Sequence, residues 1–313
     1  MSAPATGALP GCAVVARLLG GNPSGTAAFM RSWLLIEQPG PWSTNVLEET
    51  LDSALPQESR ATLEEMRKRG LRPLLIRRPG KHTRDPQRTR RTVFVGGGDP
   101  GSRWLERLEI NDLSELATLD LSAVVEGRGG LGEPVDGPLF LICTHGTKDM
   151  CCAVLGRPLA SSLDANYPGR TWEVSHVGGD RWAGNLLVVP DGFLHGQLEP
   201  NEAARVAKAA LNDQVEPDHL RGRTSVGSSW SQHAEIAVRQ GVSGVRGLDD
   251  VLAVDERPLL DDPGSDTWMV RVRAAEQLFE VTVRHRTPAR SRSSRCSSMV
   301  APSGYVTERI RPI

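Results

Sequence analysis

Three of the five cysteines and three of the seven histidines in this chain fall in one stretch, Cys143 to Gly196. Cys143 closes the apolar run PLFLIC, Cys151 and Cys152 open a helical stretch, and His176 ends TWEVSH just before Gly178 and Gly179. Thiolates and imidazoles are the donors that hold zinc or iron, and they must approach from separate rigid elements at fixed distances. The usual zinc signature pairs cysteines two to four residues apart. Here eight residues separate Cys143 from Cys152, so an ion or cluster gathered from several elements fits better than a zinc ribbon. Adjacent Cys151 and Cys152 point about 100° apart on a helix, so at most one faces a shared site and the other packs as a buried thiol. Cys12 and Cys296 have no partner at metal spacing and read as incidental thiols.

Other segments offer less. GRGGLG at 127–132 matches the dinucleotide-binding glycine pattern, but EPVDGP follows where a helix must open to meet a pyrophosphate. GGGDPG at 96–101 lacks the Gly-Lys-Ser/Thr of a phosphate loop and reads as a turn. Seven basic residues against one acid lie between Arg77 and Arg91. With no aromatic side chain except His82 for stacking, this stretch reads as a solvated loop rather than a polyanion site. Trp172 and Trp182 flank the His176 turn and suit core packing, and Arg157 is placed to pair with a nearby acid.

The elements that must position these residues alternate between strand and helix. Short apolar runs at 33–37, 72–76, 92–95 and 104–110 form a first set of expected strands, and 138–143, 171–175, 185–189 and 193–198 a second. A helical stretch at 45–69, broken at Pro56 and stopped at Gly70, has its counterpart at 151–165. Each set therefore reads strand, helix, strand, strand, strand. The expectation is an α/β protein of two related units, 1–125 and 138–245, joined by a linker at 126–137. Helices are expected at 199–211 and 231–240, then a hairpin of 268–272 with 278–283, within a C-terminal part, 246–313, that ends in a flexible Arg-rich tail. The first unit has neither cysteine nor histidine at 37–42 or 77–78, the places equivalent to the second unit's donors, and is expected to be metal-free.

A net charge of −1 from 37 basic and 38 acidic residues excludes a chain built to coat nucleic acid or an anionic membrane. No apolar run reaches the ~20 residues of a membrane span, and the start lacks a basic secretory leader. A cytoplasmic protein is expected.

The motifs WLLIEQPGPW, RPLLIRRPG, CTHGTKDMCCAVLGRPLA, WEVSHVGGDRWAGNLLVVPDG, HGQL and HLRGR, in this order, resemble the sucrase/ferredoxin-like family. The resemblance implies a thioredoxin-like fold and a [2Fe-2S] cluster held by C-x8-C and H-x3-H. Cys143 and Cys152 match the cysteines, His176 the first histidine, and Asp180 stands where the family has the second. A carboxylate is a harder donor than imidazole. An altered cluster, a cluster completed by His195 or His145, and a remnant site therefore all remain open. The implied role is electron transfer to an unidentified redox protein partner, with no catalytic residue of its own. No pair of acids can be placed around a sugar, so the sucrase half of the family name gains no support. The rivals are a cluster-free thiol redox protein using Cys151 or Cys152 and a metal-free structural module.

Overall fold

The computed structural model describes residues 11–80, 90–258, 266–286 and 304–313. The chain opens with α1 (Cys12–Leu18), β1 (Ser32–Glu37), α2 (Val46–Ala54), α3 (Gln57–Lys68), β2 (Leu71–Arg77), β3 (Arg91–Gly97), β4 (Trp104–Ile110), α4 (Leu121–Val125) and the short β5 (Glu133–Pro134). It continues through β6 (Leu139–Cys143), α5 (Met150–Asn166), β7 (Thr171–Val174), β8 (Leu186–Val189), β9 (Phe193–His195), α6 (Pro200–Ala210) and β10 (Leu220–Arg223). Last come α7 (Ser229–Gly241), β11 (Val251–Pro258), β12 (Thr267–Ala274), β13 (Gln277–Arg286) and β14 (Gly304–Pro312).

This is an α/β protein built on a ten-stranded mixed sheet, ordered β10-β9-β8-β6-β7-β2-β1-β3-β4-β5. β1 pairs parallel with β2 and antiparallel with β3, which pairs antiparallel with β4. β6 repeats this with β7, β8 and β9. The two quartets join edge to edge where β2 meets β7 antiparallel, with Arg77 opposite Glu173. That register sets a buried ion pair at the seam: Arg77 Nε donates to Glu173 Oε2 at 2.8 Å, and Thr144 Oγ1 donates to the same oxygen at 2.7 Å.

Alternation along the strands sorts the core. Trp33 and Leu35 of β1 join Leu139, Leu141 and Cys143 of β6 in one cluster, whereas Leu34 and Ile36 pack with the α2 and α3 side and Phe140 and Ile142 with α5 and α6. Cys143 thus faces a cluster shared by both quartets.

Strands form at all eight expected places. The last ends early, at His195, because Gln197 takes a positive φ of 55° as the chain turns toward α6. The helical stretch at 45–69 is two helices with Pro56 as the N-cap of the second, and Gly70 ends it at φ +103°. The GRGGLG loop does cradle an anion, but from within: the backbone N–H groups of Gly130, Leu131 and Gly132 all donate to the Glu106 carboxylate.

The C-terminal part departs most from expectation. In place of one hairpin there is a four-stranded antiparallel sheet, β11-β12-β13-β14. Arg284 to Arg286, expected at the start of a flexible tail over 284–295, belong to β13 and pair with β14; the rest of that tail, and Cys296 after it, lie outside the described residues. β14 is rich in charge, and its strand nature comes from the ladder offered by β13. The helix α7 packs Ala234, Ala237 and Val238 on this sheet.

Candidate metal centre

Cys143 ends β6 with its backbone N–H donating to the Asn185 carbonyl at 3.0 Å, and its side chain is fully buried. The chain then loops to Asp149, which caps α5 by accepting the Cys151 N–H at 2.7 Å. Cys152, one position further round the helix, turns inward to full burial. Gly156 lies one turn further on, and a Cβ there would overlap the carbonyl oxygen of Cys143. The helix can approach the strand end only because that side chain is missing. Gly156→Ala is therefore expected to destabilise the protein by about 1–3 kcal/mol through overpacking and to push the two cysteines apart, read as a lower urea midpoint and weaker metal retention.

His176 follows β7, and its Nδ1 lies 3.8 Å from Cys152 Sγ. The donor atoms of Cys143, Cys152 and His176 all lie within 4.8 Å of one another, with only His176 partly exposed. Three elements, β6, α5 and the turn after β7, thus converge on one point. The two thiols divide their roles. The Cys152 thiol donates toward Cys143 and, despite burial, holds the Cys143 thiol well below the ordinary range, with His176 assisting. Cys152 is pushed up by that same hydrogen bond and by burial. The pair favours sharing one proton between its two sulfurs, and a cation would draw that remaining proton off.

Asp180 opens a 3₁₀ turn, Asp180–Trp182, after Gly178 and Gly179, both at positive φ. It is not within the three-donor group; its Oδ2 lies 3.5 Å from Cys12 Sγ. Cys12 in turn lies 3.7 Å from Cys151 Sγ, so the thiol that the spacing left without a partner has one in the fold. Cys12, Asp149 and Cys151 form a second group with donor atoms within 4.8 Å of one another. Motif spacing could not reveal this, because Cys12 is separated from Cys151 by 139 positions.

The two histidines considered as substitutes are engaged elsewhere. His145 Nε2 donates to the Ser43 carbonyl at 2.8 Å, and its Nδ1 accepts the His176 backbone N–H at 3.3 Å. It positions His176 without reaching the donors. His195 Nε2 donates to the Glu216 carbonyl at 2.8 Å from within β9. Trp172 is core, stacked edge-on against Phe94 at 5.6 Å. Arg157 is exposed and makes no ion pair among the described residues.

Burial lowers His195 to about 4, and it lowers His233 to about 4 as well. Both are therefore neutral in the folded protein at neutral pH. The unfolded chain takes up these protons first, near pH 6.5, so stability is lost as pH falls from about 6.5 toward 4. Asp191, raised to about 6 by burial, protonates earlier in the folded state and offsets part of this loss. The expected net result is a urea midpoint that drops over this window, with His195→Gln flattening the drop.

Arg221 lies against the candidate site and was not singled out in the sequence, although it sits in the HLRGR motif. It is buried behind the cysteines, donating to the Gly178 carbonyl and Asn185 Oδ1 at 2.8 Å each and to Thr26 Oγ1 at 3.1 Å. Burial lowers it to about 10, while Cys143, Cys152 and Asp180 pull the other way, so it stays a cation at neutral pH. It sets a fixed positive charge beside the cysteine pair and holds the turn that carries Asp180. A Cβ at Gly179 would strike its guanidinium.

The chain belongs to the sucrase/ferredoxin-like family, whose model matches residues 23–222. That span takes in Cys143, Cys152, His176 and Asp180 and leaves Cys12 outside. Two yeast proteins named altered inheritance of mitochondria protein 32 are similar to it. The one from Meyerozyma guilliermondii is 26% identical over 93 residues, covering 26% of this chain and 33% of its own length. The one from Kluyveromyces lactis is 25% identical over 157 residues, covering 42% of this chain and 48% of its own. The chain thus matches a third to about half the length of these curated relatives. No solved structure matches it. No helix among the described residues is long and apolar enough to cross a membrane.

Proposed function

We propose that this member of the sucrase/ferredoxin-like family is a cytoplasmic electron carrier that holds a [2Fe-2S] cluster and passes single electrons to a redox protein partner. In this reading Cys143 and Cys152 hold one iron, and His176 holds the other together with a donor at the corner where Asp180 meets Cys12. Each quartet of the large sheet is a thioredoxin-like unit, 1–125 and 138–245, and the first serves as scaffold. The observation that carries the reading is the convergence of two buried thiols and one partly exposed imidazole within 4.8 Å.

The donor set suits iron. Two soft thiolates and an imidazole are the mixed ligation of a two-histidine cluster with one nitrogen replaced. The cluster, when bound, supplies one-electron chemistry. The chain's residues do the rest. Arg221 offsets the negative charge of the thiolates, and His145 fixes the backbone that aims His176. The buried strand ends exclude water from the sulfur side, and the exposed edge of His176 is the face a partner can approach.

The thiol-redox reading is less well supported. Burial pushes the Cys151 thiol up, and the carboxylate of Asp149 adds to the shift, whereas an attacking cysteine needs its thiolate.

Iron and acid-labile sulfide in anaerobically purified full-length protein test the proposal. Close to two of each per chain, with the broad visible bands of an iron–sulfur protein, are expected. A colourless protein that takes up neither on reconstitution contradicts it.

A further inference from the structure

We infer that Cys12, from the N-terminal helix, is the fourth ligand of this centre. The inference rests on the cluster reading above and replaces the carboxylate at the family's second histidine position with a thiolate from outside the family-matched span.

The described residues hold two separate donor groups. The first is Cys143, Cys152 and His176, and the second is Cys12, Cys151 and Asp149. They are joined through the adjacent residues Cys151 and Cys152. A binuclear cluster needs donors for a second iron displaced from the first, and the second group is the neighbouring supply of them. Within that group Asp149 caps α5, and Cys151, about 100° round the helix from Cys152, faces Cys12. Cys12 is the donor that touches position 180, through Asp180 Oδ2 at 3.5 Å. An aspartate is shorter than a histidine, and the thiol of Cys12 stands at its tip.

Two further features hold Cys12 there. Gly11 has no side chain, and a Cβ at that position would come within 2.7 Å of Cys151 Sγ, so the chain entering α1 lies tight against α5. At the other end of α1, Arg17 pairs with Glu199 at 2.6 Å, which pins the helix to the entry of α6. Thiolate is also the softer donor, preferred over carboxylate in iron–sulfur sites. Asp180 then serves as acceptor for the Cys12 thiol before loading and as a positioning residue afterwards.

The test compares full-length wild type with Cys12→Ser, Cys151→Ser and Cys143→Ser. Its readouts are iron and sulfide content, visible absorption and the electron paramagnetic resonance of the reduced protein. Cys12→Ser is expected to shift both spectra and to hold iron at least about tenfold less well against a chelator, whereas Cys151→Ser matches wild type. Cys12→Ser combined with Asp180→His is expected to recover iron, now at a higher potential, because a neutral imidazole replaces an anionic thiolate. A misfolded variant is bypassed by alkylating wild type. Cys12 is protected in the loaded protein and labelled after the iron is stripped. Cys12→Ser with unchanged iron and spectra, or Cys12 alkylated equally in both states, overturns the inference and leaves the three-donor centre standing. A second-ion result, in which Cys12→Ser loses zinc alone, also overturns it. Wild type without iron, or Cys143→Ser with wild-type iron, refutes the cluster reading itself and this inference with it.

Discussion

Cys152→Ser is expected to empty the proposed centre of nearly all its iron, and Cys151→Ser, one residue away, is expected to leave it loaded. The contrast follows from the placement of the two side chains. Cys152 Sγ lies 3.8 Å from His176 Nδ1 and within the group that includes Cys143, in the interior where no water replaces a lost donor. Serine there offers a hydroxyl that must lose a far more basic proton before it can ligate, beside a thiolate that already repels negative charge. Cys151 points about 100° away to Cys12 at 3.7 Å. Its replacement leaves all three donors of the first group in place. Visible absorption and iron content of the two variants, purified side by side, decide the matter. Colour lost with Cys151→Ser and kept with Cys152→Ser reverses the assignment.

The largest effect on stability is expected from Glu235→Leu, with a loss of about 3–5 kcal/mol. Glu235 on α7 accepts from Arg223 Nη2 of β10 at 2.7 Å and from Arg239 Nε of its own helix at 3.0 Å, and all three side chains are at most 1% exposed. Burial pushes the Glu235 carboxyl up, but the two guanidinium groups outweigh it and hold the carboxyl below its usual range. Arg223 also donates to the Val251 carbonyl at 2.9 Å and Arg239 to the Gly247 carbonyl at 2.9 Å, so the triad ties the large sheet to the C-terminal one. Leucine leaves two buried cations without an anion, and the penalty comes from those cations rather than from one lost contact. Replacing all three residues with apolar side chains of similar volume is therefore expected to recover much of the loss. Urea denaturation checks both variants. A Glu235→Leu midpoint within error of wild type contradicts the account.

How much of this could be read from the sequence depended on how local the signal was. Apolar runs and punctuation such as Pro56 and Gly70 act over a few residues, and they placed the strands and helices of the large sheet. The Cys143, Cys152 and His176 group was legible because each donor sits at the end of a recognisable element. Cys12 and Arg221 were not, because their roles arise only when distant segments meet: Cys12 reaches Asp180 across 168 positions, and Arg221 reaches Thr26 across 195. The GRGGLG loop shows the same limit. Its amides do bind a carboxylate, but only folding shows that it belongs to Glu106. β14 escaped notice because its residues are charged and its pairing edge lies on another strand.

The central claim is that a binuclear iron centre here is held by both sulfur and nitrogen donors. Pulsed electron paramagnetic resonance of the reduced protein, grown with nitrogen-15 histidine, tests it most directly. The account predicts strong coupling to nitrogen from a single histidine, lost in His176→Ala. A reduced cluster with no histidine nitrogen coupled to it, or a coupling that survives His176→Ala, contradicts it.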